Sequence, residues 1–255
     1  MLVCIVVCVT QMYERSELRG PVLIEGLPGI GFVANITALH LIQELKAKLF
    51  AEIRSSSFQD FAITKENGIA RFPINELYYH KRENKKSDLI VLYGNTQALT
   101  TFGQYELCGK ILDIVEEHGC RYIITLGGIR REEEIKAPKI YCTASDTETL
   151  YEALSFGVEK IEGQIFGVAG LLIGLGKLRD INGFCLLAET PGTYPDAKAS
   201  EKVLDVVCRM LNLKIDLSRI NLAAETTSNK LKAFGLITDP TKEKIREESR
   251  LRWLI

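Results

Sequence analysis

Short unbroken apolar runs alternate with helically spaced ones along most of this chain. Leu2 to Val9, Val22 to Glu25, Asp88 to Gly94, Cys120 to Leu126 and Gly183 to Ala188 are the clearest runs. Runs of this length, bounded by turn residues, read as strands buried on both faces. Leu49 to Arg54, Ile69 to Phe72 and Lys139 to Thr143 look like further strands. Between the runs, Ala38, Leu41, Ile42, Leu45 and Leu49 recur at helical spacing and predict a helix reaching Leu49. Cys108, Ile111, Leu112 and Val115 predict one over Tyr105–Glu117, and Val203, Leu204, Val207, Cys208 and Leu211 one over Ala197–Leu211. Ser145-Asp146-Thr147-Glu148 has the form of a capping box opening another helix. A glycine-rich apolar helix is expected over 163–176.

Strand, helix and strand with continuous apolar strands is the pattern of parallel βαβ units. The chain is therefore expected to be α/β, a mostly parallel central sheet flanked by helices, in one core domain over residues 1–220. Residues 221–255 read as a C-terminal extension. Asn221 to Thr238 is only weakly periodic, and Asp239-Pro240 supplies a cap and a proline at the first position of a last helix. That helix carries little apolar surface until its tip, so it is expected to project or to lie loosely.

Composition narrows the function classes. Among 255 residues 46% are hydrophobic and 25% charged, as in proteins that bury a real core. Thirty-two basic residues against 33 acidic ones give a net charge of −1, which offers no bias toward nucleic acid or anionic lipid. The seven cysteines are scattered without a CxxC pair, which fits reduced thiols in the cytoplasm. The uncharged stretch from Gly163 to Gly176 falls short of the ~20 residues a membrane span needs. A soluble, cytoplasmic protein is expected.

Candidate chemistry is sparse. Gly26-Leu27-Pro28-Gly29-Ile30-Gly31 lies between a strand and a helix, where phosphate cradles occur. Its glycines do not fall as GxGxxG, no lysine and hydroxyl follow, and Pro28 removes a backbone donor. A tight turn that seats a helix on the sheet is the favoured reading. Gly127-Gly128 before Arg130 and Arg131, and Asn95-Thr96-Gln97, occupy the ends of central strands, where α/β sheets bind ligands. Gly29, Gly31, Asn95, Gly128 and Glu189 would line such a crevice. No nucleophile stands with its base, His40, His80 and His118 are isolated, and no metal or cofactor is expected.

The chain's end is the sharpest signal. Trp253-Leu254-Ile255, with the single tryptophan, follows the charged run from Lys242 to Arg252. Chain ends are usually frayed and polar, so an indole with two aliphatics needs a burial site. Either the tail packs on its own domain or it enters a pocket on another protein.

In the order and spacing of its motifs the chain resembles the proteasome assembly chaperone 2 family, in its archaeal branch. The matching segments include Glu25 to Ala34, Asp88 to Gln97, Thr125 to Gly128, Gly167 to Leu172 and Leu187 to Gly192. The resemblance implies a fold similar to nucleoside phosphorylases without their activity. It also implies homo-oligomers that assemble or dock on the α-ring of the 20S proteasome. Some members carry a C-terminal hydrophobic-tyrosine-any tripeptide that enters pockets between α-subunits, where the carboxylate meets a lysine. Here Trp253 matches the hydrophobic position and Ile255 the last one, while Leu254 replaces the tyrosine. Arg250 and Arg252 would meet acidic groups around such a pocket. Two other readings stay open: a phosphorylase- or hydrolase-like enzyme using the crevice, and a plain scaffold with a self-packed tail.

Overall fold

The apolar runs become neighbouring strands in the computed structural model, which describes residues 8–233 apart from 65–66, 84–85, 133–134 and 136. Strand β1 (Cys8–Met12) is followed by β2 (Val22–Gly26), whose five residues are all buried. Helix α1 (Val33–Glu44), strand β3 (Lys48–Ser55), the two-residue strands β4 (Ile63–Thr64) and β5 (Ala70–Arg71), and β6 (Asn75–His80) come next. Then follow β7 (Leu89–Gly94), α2 (Thr101–Glu117), β8 (Tyr122–Arg130), β9 (Ile140–Ala144), α3 (Thr147–Leu154) and β10 (Glu159–Lys160). Helix α4 (Val168–Lys177), β11 (Asn182–Thr190), α5 (Ala197–Leu211) and α6 (Ile220–Ala233) complete the described chain.

The large sheet has the order β1-β3-β6-β7-β2-β8-β11-β9-β10, and β4 pairs with β5 apart from it. The protein is thus α/β with a central sheet flanked by helices. Its centre is parallel, where β7, β2, β8 and β11 run together, and the short β10 joins β9 in parallel at one edge. The flanking pairs β1/β3, β3/β6, β6/β7 and β9/β11 are antiparallel, so the sheet is mixed.

Each face of the sheet carries its own apolar layer. On one, Val33, Ile36 and Leu41 of α1 pack with Val203 and Val207 of α5 and Ala223 of α6. On the other, Leu107, Ile111 and Val115 of α2 pack with Val168 and Leu172 of α4. Helix α6 repeats Ile220, Ala223, Ala224, Thr227 and Leu231 inward, a helical period written with small side chains.

Several element boundaries differ from the sequence reading. Helix α1 stops at Glu44 rather than Leu49, because Lys46 adopts φ 49° and the chain enters β3 at Lys48. The expected strand over Ile69–Phe72 shrinks to Ala70–Arg71, and β6 is an additional strand. Helix α3 is capped by Asp146 rather than Ser145: its carboxylate accepts from the Thr149 amide at 2.8 Å. The six described cysteines are free thiols. No described helix is long and apolar enough to cross a membrane. The helix expected after Asp239-Pro240, and Arg250, Arg252, Trp253, Leu254 and Ile255, lie outside the described residues.

Candidate functional site

The carboxyl ends of β2, β7, β8 and β11 meet at one edge of the sheet, and the turn after β2 divides that edge in two. Toward β8 and β11 it is shut. Gly31 takes φ 63°, and a Cβ there would stand 2.6 Å from Thr190 Oγ1. A Cβ on Gly128 would collide with the Ile30 carbonyl oxygen. The Thr190 hydroxyl donates to Asp196 at 2.7 Å, and the Asp196 amide donates to the Gly31 carbonyl at 2.9 Å. Gly31 and Gly128 are therefore brought together, but by direct packing, with the turn's own backbone filling the space. Gly29 meets nothing within 4 Å at its Cβ position.

Glu189 stands beyond this closure. Its carboxylate accepts from the Tyr141 hydroxyl at 2.9 Å, the Lys139 amide at 3.2 Å and Arg131 at 3.1 Å. Partial burial works against the charge, yet these three donors hold the carboxyl below its ordinary range. Arg131 is thereby paired, and its guanidinium also lies 5.4 Å from the Tyr141 ring centroid. This is a satisfied anchor between β9 and β11.

Toward β7 the edge is open. Strands β2 and β7 are parallel neighbours, yet the helix after β2 lies on one face and the helix after β7 on the other. Such a reversal leaves a crevice at the strand ends, the usual ligand position in open α/β sheets. A cavity of about 880 Å³ occupies it. Pro28, Phe32 and Asn35 come from the turn and the start of α1, and Gly94 and Asn95 from the end of β7. Phe61, Phe72 and Ile74 flank β4 and β5, and Thr227, Lys230 and Leu231 come from α6.

The floor is tightly held. The buried Asn35 amide donates to the carbonyls of Gly26 at 3.3 Å and Gly94 at 2.8 Å, tying the two strand ends together. Asn95 accepts from the Ile74 amide at 2.9 Å. Phe32 sits at φ 52°, a left-handed conformation that bulky residues seldom adopt and that costs about 1–3 kcal/mol. At the mouth, Lys230 donates to the Tyr93 hydroxyl at 3.2 Å and stands over its ring. Glu76, the cross-strand partner of Tyr93, accepts from the Tyr78 hydroxyl; burial pushes its carboxyl up. Of the five residues expected to form one crevice, Asn95 alone lines this cavity. Its aromatic walls were not anticipated, and the one local signal was Phe32 beside the turn glycines.

The remaining ionisable candidates are structural in character. Glu25 is buried within the sheet, accepting from the Leu27 amide at 2.8 Å, and desolvation pushes its carboxyl up to about 7. Cys108, which faces it, is pushed up to about 12, chiefly by burial. The His40 ring donates to the Asp216 carbonyl at 2.7 Å, and the His118 ring, ending α2, to the Ile114 carbonyl at 2.8 Å. Among the described residues no group of three or more His, Cys, Asp and Glu could hold a metal ion.

Likeness to known proteins follows this architecture. A sequence model of the PAC2 family matches residues 23–234. A Methanocaldococcus jannaschii protein described as uncharacterized is 32% identical over 239 residues, 92% of each chain. The crystal structure of Pyrococcus furiosus PbaB, an archaeal proteasome activator, matches with TM-score 0.81 and 39% identity, over 89% of this chain and 98% of that one. Pyrococcus furiosus PbaA, an archaeal homolog of proteasome-assembly chaperone, shares the fold at TM-score 0.74 and 23% identity, over 89% and 96%.

Proposed function

This chain belongs to the PAC2 family, and from that premise we propose that it is a non-catalytic adaptor or assembly chaperone of the 20S proteasome. The observation that carries this reading is the likeness to an archaeal proteasome activator, at 39% identity over 89% of the chain. The composition of the site agrees with it: Glu189 is tied to Arg131 and Tyr141, and Gly31 and Gly128 serve close packing.

The contact itself is assigned to the C-terminal tripeptide. Trp253 is the anchor, Leu254 a second apolar contact, and the Ile255 carboxylate the group that meets a cation on the α-ring. Arg250 and Arg252 add charge at the rim. Leu254 in place of tyrosine forgoes one hydrogen bond, about 1 kcal/mol. Several tails on one homo-oligomer compensate through effective concentration, which raises avidity without any new contact.

A pull-down of proteasome α-subunits with full-length protein and with a variant ending at Arg252 tests this. The full-length protein is expected to retain the α-ring and the truncated one to lose it, with the same circular dichroism and the same size on a column. Retention by the truncated protein would overturn the tail assignment while leaving family membership untouched.

A further inference from the structure

The tail-docking reading makes no use of the cavity between the ends of β2 and β7, and that cavity is built as a ligand site. Its volume, about 880 Å³, lies in the range of roughly 300–1,000 Å³ that small-molecule sites occupy. Four rings line it, Phe32, Phe61, Phe72 and Tyr93. Phe72 is 72% exposed at its edge, an aromatic face that the described chain does not cover. The charged lining residues are Arg71, Lys230 and Glu76, two cations against one carboxylate.

A second observation is independent of shape. Thr227 lines the cavity and is only 4% exposed, yet its hydroxyl has no hydrogen-bond partner among the described residues. Buried hydroxyls are nearly always paired; this oxygen is sealed from solvent just behind the cavity wall, so a ligand acceptor reaches it with a small shift of the Thr227 side chain. Asn95 uses its carbonyl on the Ile74 amide, which leaves its NH2 group as a further donor in the lining. Positive charge thus exceeds negative in the lining, and the walls are mostly apolar.

We propose that this cavity binds a small planar aromatic molecule carrying an anionic group. The ring is taken up among Phe32, Phe61, Phe72 and Tyr93, the anion by Arg71 and Lys230, and a ligand acceptor by the Thr227 hydroxyl. Flat rings stack favourably on such walls, and an anion gains charge-assisted hydrogen bonds from a guanidinium and an ammonium. The site contains none of the tail residues, so its failure would leave the docking reading as it stands.

Isothermal titration calorimetry on the full chain, with 2-naphthoate as the probe and neutral 2-naphthamide as its matched control, decides the matter. Saturable, sub-millimolar binding of the acid is expected, with the amide about tenfold weaker because the charge-assisted contact is gone. Arg71→Met and Lys230→Met, both at exposed positions, should each weaken the acid and narrow its advantage over the amide. Thr227→Val separates ligand binding from stability: it should raise the melting temperature by removing an orphan hydroxyl, yet weaken naphthoate. No saturable binding at millimolar naphthoate overturns the proposal. Equal binding of acid and amide, or affinities that none of the three substitutions moves, overturns it as well.

Discussion

Two crevices flank strand β2 at the same edge of the sheet, and only one of them is open. Toward β8, glycines let the turn press against Gly128 and Thr190 until no room is left. Toward β7, the same turn contributes Pro28 and Phe32 to the wall of a cavity of about 880 Å³. Glycine at a strand end is read as an invitation to ligands because backbone can then approach a phosphate closely. Here the same property brings protein backbone onto protein backbone. The open space lies instead where large side chains from distant segments hold the walls apart.

The sharpest way to break this contrast is to put a methyl group on each side of it. Gly128→Ala drives a Cβ into the Ile30 carbonyl, a backbone atom of a turn held by the Asp196 amide on the Gly31 carbonyl. A loss of about 3 kcal/mol is expected in urea denaturation, at the upper end of overpacking effects. Gly29→Ala faces open space at an extended φ of −155° and should change stability by no more than about 0.5 kcal/mol. Equal costs at the two positions would mean that the turn does not close on β8 as described.

Next in size is a pH effect from Glu25, beneath the turn on β2. Burial raises its carboxyl from 4.5 to about 7, opposed only in part by the Leu27 and Leu126 amides. Cys108 and Cys185, which feel its charge, are pushed up to about 12, chiefly by burial, so both stay neutral thiols near neutrality and add no second negative charge beside it. The folded protein therefore binds the extra proton between about pH 4.5 and 7. Stability contributed by the neutral acid is full below that window, falls as pH rises through it and is flat above. Glu25→Gln should be more stable than the parent by about 2 kcal/mol at pH 8 and close to it at pH 5. A parent with the same stability at both pH values would show that Glu25 is ionised and solvated.

Asp196 sharpens the closed side further. One carboxylate oxygen caps α5 by accepting from the Ala199 amide at 3.0 Å, and the other accepts from Thr190 at 2.7 Å. Asp196→Ala removes both contacts and should cost about 1–2 kcal/mol, the usual range for a lost cap. Asp196→Asn, which keeps the capping acceptor, should recover most of it.

The contrast also explains what the sequence could and could not reveal. The central strands were legible because buried parallel strands are continuous apolar runs, and α5 because its apolar residues keep helical spacing on one face. The end of α1 was not, because Leu45 and Leu49 continue the helical spacing while Lys46 turns the backbone away. Strand β6 was hidden because its buried positions are Asn75, Leu77 and Tyr79, a polar, an aliphatic and an aromatic residue. Helix α6 escaped notice because Ala223, Ala224 and Thr227 bury its face with little hydrophobicity. The cavity needed all of these at once. Its walls come from Phe32, from the segment around Phe72, from Asn95 and from α6, four stretches far apart in sequence.

The smallest expected effect decides whether the two crevices are separate. Glu189 and Arg131 are joined at 3.1 Å with side-chain exposures of 14% and 43%, on the far side of the closed turn from Asn95. Solvent reaches the guanidinium, so a double-mutant cycle over Glu189→Gln and Arg131→Met should give a coupling of no more than about 1 kcal/mol. Because neither residue lines the open cavity, Glu189→Gln should also leave naphthoate affinity unchanged. If that substitution instead altered the affinity, Glu189 would communicate with the cavity through the Gly31–Thr190 contact. The closed side would then be one wall of a single larger site, and its glycines would be ligand-facing after all.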